Sequence, residues 1–173
     1  DDPYYLGEWI WYPPLVPALV AGLSKVTGSP VHTVYAQAGA YLNMLGPILL
    51  AALVARCFGS LASLVALAVF LYQTPRGPTG AAPFYSTLLY SGNFAQALFY
   101  LTLLAYVSLA EERRARYVLT GALLGLTFLG HAAPFVVLAV LFLVELARAA
   151  WREPRTALER YALLFATAAV FAM

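Results

Sequence analysis

Charge is what this chain has least of. Only 10% of its 173 residues are Asp, Glu, Lys or Arg, and 62% are hydrophobic. Soluble domains carry roughly a quarter charged residues, so this scarcity excludes an ordinary soluble surface and points to a membrane class. A single cysteine, Cys57, excludes an internal disulfide and says nothing firm about redox compartment. There is no Gly-rich phosphate loop, no zinc-ligand spacing, no Ser-His-Asp cue and no patch suited to nucleic acid. No repeat of solenoid type recurs. The chain opens without Met or a signal-peptide pattern and stops in the apolar run Ala169-Val170-Phe171-Ala172-Met173. We therefore expect a piece of a longer membrane protein.

What is present falls into two parts, residues 1–30 and 31–173. The first fourteen residues hold three carboxylates, Asp1, Asp2 and Glu8, and five rings, Tyr4, Tyr5, Trp9, Trp11 and Tyr12. They read as an acidic, aromatic loop at a membrane edge. Residues 13–28 predict a short helix with prolines at its start, where a missing N–H costs little, and Gly28 and Pro30 at its end. A spanning helix needs about 20 residues, so this one is expected to lie in the interface with Lys25 toward water.

Residues 31–55 are long enough to cross, with Gln37, Tyr41 and Asn43 marking a face toward protein and Gly46-Pro47 predicting a bend. A tight turn at 56–60 precedes a short apolar helix over 61–73. Prolines and glycines make 74–92 a loop, and Asn93 is a candidate cap for a helix reaching about Ala110. After the charged stop at 111–116, the apolar stretch 117–147 has arginines at both ends. With both ends on one side it must enter and return, with the reversal at Gly130-His131-Ala132-Ala133-Pro134; one long kinked helix is the rival reading. Residues 151–155 read as a polar linker and 159–173 as the start of another span. The fold class is all-α, a polytopic membrane bundle with short paired helices.

Eight of the ten basic residues lie in Arg56, in Arg113, Arg114 and Arg116, and in Arg148, Arg152, Arg155 and Arg160. The helix order puts these three groups on one face, which the positive-inside rule makes cytoplasmic. The acidic loop, the 74–92 loop and the His131 reversal then face outward.

Asp1 and Asp2 are the leading chemical candidates. Adjacent carboxylates suit a hard divalent cation, Mg or Mn, or a general base; the plainer alternative is a solvated acidic loop. Tyr4, Tyr5, Trp9, Trp11 and Tyr12 suit stacking on a sugar or an isoprenoid tail, or else form an aromatic belt. His131 suits a phosphate or acid–base work, or else a buried ring bonded at a helix break. Arg76 suits a lipid phosphate or is a plain loop cation. His32 fits an interface residue. Tyr85, Tyr90, Ser91 and Asn93 are neutral groups able to line a cleft. Glu145 and Arg148, three apart, read as a structural pair.

The group Asp1-Asp2-Pro3-Tyr4-Tyr5 followed by Tyr12-Pro13-Pro14-Leu15-Val16-Pro17-Ala18-Leu19 resembles the first outer loop and interfacial helix of membrane glycosyltransferases of the C fold (GT-C). The small-residue span Leu119–His131 resembles the helix that follows a basic cytoplasmic turn in that superfamily. The first group is closest to archaeal-type oligosaccharyltransferases; the Tyr-Pro-Pro-Leu group is as common in the mannosyl- and arabinosyltransferase-like branches. The resemblance implies sugar transfer from a polyprenyl-phosphate donor at the outer face, with Asp1 or Asp2 as base or metal ligand (Asp2 for the metal). It also implies a second acidic motif, and Tyr90-Ser91-Gly92-Asn93-Phe94-Ala95-Gln96 has no acid there. The alternative is a non-catalytic scaffold or a lipid or polymer carrier.

Overall fold

A computed structural model describes residues 13–72 and 88–173, and within them every regular element is a helix. The order is α1 (Leu15–Thr27), α2 (Val31–Leu42), α3 (Leu45–Phe58), α4 (Ser60–Tyr72), α5 (Ser91–Ser108), α6 (Arg114–Gly130), α7 (Ala132–Ala150) and α8 (Pro154–Phe171).

Proline sets where four of these helices begin. Pro17, Pro47 and Pro134 each stand third in their helix, and Pro154 stands first. In the first turn a missing N–H leaves no bond unmade, whereas the ring clashes with the carbonyl four residues back. The break therefore falls upstream of the proline. The expected bend at Gly46-Pro47 is accordingly found at Asn43-Met44, where α2 gives way to α3. The Asn43 side-chain amide donates to Leu88 O at 3.0 Å, which ties this break to the start of α5.

The reversal expected at 130–134 is observed, and the single kinked helix is not. His131 alone separates α6 from α7, in extended backbone. The two helices run antiparallel: Phe128 and Phe135 stack edge to face at 5.0 Å beside the break. At the far end, Tyr117 and Arg148 line a common cleft.

Helix α6 is the centre of the bundle, packed by α5, α7 and α8 and touched by α1. Its buried residues are mostly small: Thr120, Gly121, Gly125, Thr127 and Gly130 beside Tyr117, Leu123 and Leu124. Small residues let backbones approach, and Gly121-x-x-x-Gly125 meets α8 in parallel alignment. A Cβ at Gly121 would lie 2.3 Å from Leu164 O, and one at Gly125 2.5 Å from Ala168 O. Two buried hydroxyls bond back within their own helices, Thr127 to Leu123 O at 2.7 Å and Thr102 to Leu98 O at 2.7 Å.

Aromatic and aliphatic side chains fill the remaining core. Tyr117, Leu124, Leu138, Phe142, Tyr161, Leu164 and Ala168 form one cluster; Val16, Val20, Val34 and Leu89 form a second, under α1. Helix α1 closes at Gly28, whose φ of +70° puts it in the left-handed cap position, and Lys25 is exposed. Helix α5 begins at Ser91 after Tyr90, so Asn93 lies inside its first turn rather than at the cap expected for it. Helix α8 starts five residues ahead of the expected 159, because Pro154 opens it.

Among the described residues, two helical stretches are long and apolar enough to cross a bilayer, Val31–Phe58 (α2 and α3 together) with 28 residues and Ala132–Ala150 with 19. Of the three basic groups expected on one face, the 113–116 and 148–160 clusters share one end of the bundle, where Arg114, Arg148, Arg152 and Arg160 line adjoining clefts. Arg160 meets Glu111 at 3.5 Å. Arg116 lies over the Tyr106 ring at 3.9 Å, and the Tyr106 and Tyr161 hydroxyls bond at 2.6 Å. His131 stands at the opposite end of α6, about 25 Å away at 1.5 Å per residue.

Candidate functional site

At the His131 end, the starts of three helices come together. The α6–α7 break leaves His131 half-buried, with its own N–H donating to Thr127 O at 2.8 Å. Its Nδ1 accepts from the Ala133 N–H at 3.2 Å. This makes His131 the N-cap of α7. A neutral imidazole whose Nδ1 accepts carries its proton on Nε2, so the ring keeps one N–H donor to offer.

The neighbouring wall is α5. Gly92 stands against the ring: a Cβ there would lie 4.0 Å from His131 Cδ2. Gly130, one residue before, faces Ala95 at 3.1 Å and Leu15 at 3.7 Å by the same measure. Leu15 opens α1, so the start of that helix lies beside this break.

Between α5 and α7 lies a cleft of about 520 Å³, lined by Tyr90, Ser91, Asn93, Gln96, Tyr100 and His131, with Pro134 and Val137 opposite. This is ligand-sized. Gln96 Nε2 donates to the Tyr100 hydroxyl at 2.8 Å, which leaves the phenolic proton available to another acceptor. Tyr100 is held edge-on by Phe99 at 5.6 Å and Phe70 at 6.4 Å. The cleft therefore presents two fixed donors, His131 Nε2–H and Tyr100 O–H, above an apolar wall. Among the described residues its lining holds no carboxylate, so it is suited to hold an anionic or hydroxyl-rich group.

Among the sequence candidates, His131, Tyr90, Ser91 and Asn93 converge here. His32 is exposed at the start of α2 and has no part in the cleft. Asp1, Asp2, Tyr4, Tyr5, Glu8, Trp9, Trp11, Tyr12, Arg76 and Tyr85 lie outside the described residues. Among the described residues no group of three His, Cys, Asp or Glu gathers as a metal site. Glu145 and Arg148 do pair, at 2.8 Å, remote from the cleft. Gln96 and Tyr100 were not singled out from sequence; their four-residue spacing on one helix face was the available signal. No protein-family model, no curated protein and no solved structure matches this chain.

Proposed function

We propose that this protein is a multi-pass membrane glycosyltransferase. It transfers a sugar from a polyprenyl-phosphate donor to an acceptor at the extracytoplasmic face. The observation that carries this reading is the cleft at the bundle end opposite the arginines, where the His131 break, the start of α5 and the start of α1 meet. Positive residues favour the cytoplasmic side, which puts the cleft outside.

In this reading His131 and Tyr100 receive the donor's phosphate, and Val137 with the exposed apolar face of α7 borders its isoprenoid chain. The described lining of the cleft supplies no carboxylate, and in this reading the acidic segment that precedes Leu15 in sequence supplies Asp1 and Asp2. One of these takes the acceptor's proton as the sugar carbon parts from the phosphate oxygen. Donors fixed on the leaving phosphate stabilise its developing charge. A divalent cation on Asp2 is compatible with that segment's hard oxygen donors and would add to the same stabilisation. The aromatic rings Tyr4, Tyr5, Trp9, Trp11, Tyr12 and the loop cation Arg76 complete the proposed substrate contacts.

The test is Asp1→Asn with Asp2→Asn, assayed for sugar transfer in membranes. Transfer is expected to disappear with protein level unchanged, and full transfer in the double variant would overturn the proposal.

A further inference from the structure

The end of the bundle remote from His131 carries a second polar concavity that sugar transfer does not use. A cleft of about 410 Å³ is lined there by Arg148, Arg152, Arg160, Glu111, Glu112 and Glu153, with Tyr117 and Tyr161 behind them. A second, of about 650 Å³, shares Glu112, Tyr117 and Arg160 and adds Arg114 and Glu159. We propose that this end holds the phosphate of an anionic phospholipid head group.

Three observations lead there. First, the guanidiniums are only partly spent. Arg148 directs Nε and Nη2 at one oxygen of Glu145, at 3.1 and 2.8 Å, and so keeps further N–H donors. Arg160 meets Glu111 at 3.5 Å with Glu111 largely exposed, a pair that solvent screens. Arg152 has no carboxylate within ion-pair distance among the described residues. Second, Trp151 stands between them in sequence and is 92% exposed, as an indole at head-group level would be. Third, Val140 and Val144 precede Arg148 at four-residue steps, on one face of α7. They are 55% and 62% exposed. An acyl chain along that face brings its phosphate to Arg148.

The carboxylates decide between a lipid and free phosphate. Glu111, Glu112 and Glu153 share the cleft with the arginines, so a small dianion is repelled as well as attracted. A phospholipid offsets that repulsion through its chains, which free phosphate lacks.

The experiment is native mass spectrometry of the protein released from nanodiscs of phosphatidylcholine mixed with phosphatidylglycerol. Wild type is expected to retain phosphatidylglycerol selectively. Each arginine near a lipid surface is worth about a five-fold change in binding. Arg152→Gln should lower retention by about that factor, and adding Trp151→Ala should lower it further, at unchanged thermal stability. Both side chains are exposed, so neither change threatens the fold. Equal retention of the two lipids by wild type overturns the proposal, as does full retention in the double variant. Displacement of the lipid by inorganic phosphate alone overturns the lipid assignment. None of these outcomes depends on sugar transfer.

Discussion

Glycine to alanine at the α6–α8 contact is the sharpest stability test. Added methyl groups at Gly121 and Gly125 would meet backbone carbonyls at 2.3 and 2.5 Å, and neighbouring Cβ atoms at 2.9 and 2.8 Å. Each position is about 1 Å short of ordinary van der Waals contact. A flexible side chain could swing aside, but a helix carbonyl cannot without moving its helix. Overpacking of this kind costs about 1–3 kcal/mol. Alanine returns about 1 kcal/mol through its better helix propensity. Because the obstacle is backbone, we take the upper half of the first range and expect a net loss of about 1–2 kcal/mol for each variant. At roughly 2–4 °C per kcal/mol for a chain of this size, Gly121→Ala should melt about 2–8 °C below wild type in detergent. The double variant should lose less than the sum, since one helix displacement relieves both clashes. Gly22→Ala is the control: nothing lies within 4 Å of its Cβ position, and that variant should melt at or above wild type. If Gly121→Ala and Gly125→Ala match Gly22→Ala, the close approach of α6 and α8 is wrong.

Other consequences can be measured on the same material. Tyr161→Phe removes the 2.6 Å bond to Tyr106 and should cost about 1 kcal/mol; Tyr106→Phe added to it should cost little more, read by the same melts. His131→Ala removes the α7 cap and should cost about 1 kcal/mol. His131→Ser should restore much of that stability without restoring the proposed donor binding, which separates the capping role from the proposed ligand role. Gly28→Ala forces a side chain into φ +70° and should destabilise the protein by about 1 kcal/mol.

The helices were legible in the sequence because proline and glycine punctuate them. The His131 reversal follows from Pro134 and from arginines at both ends of 117–147. The Asn43 break was displaced in expectation because the bend was assigned to Pro47 itself, whereas a proline clears the residues before it. Asn93 has the residue type of a cap, yet Tyr90 holds the cap position and Asn93 is the third residue of the helix. The parallel alignment of α6 and α8 was not read from sequence. Its local signal, Gly121-x-x-x-Gly125, names a close contact but not the partner, and Leu164 and Ala168 are far away along the chain. The Gln96–Tyr100 pair was hidden for a different reason. A glutamine and a tyrosine on a helix have many uses, and only the position of His131 across the cleft gives this pair one.

The central claim is that the His131 cleft and the arginine clusters face opposite sides of a membrane. Exposed Cys57 is first replaced by Ser, and single cysteines are then introduced as Gly92→Cys and Trp151→Cys. A membrane-impermeant maleimide should label Gly92→Cys in intact cells and Trp151→Cys only after the membrane is opened. Labelling of both in intact cells would contradict the account.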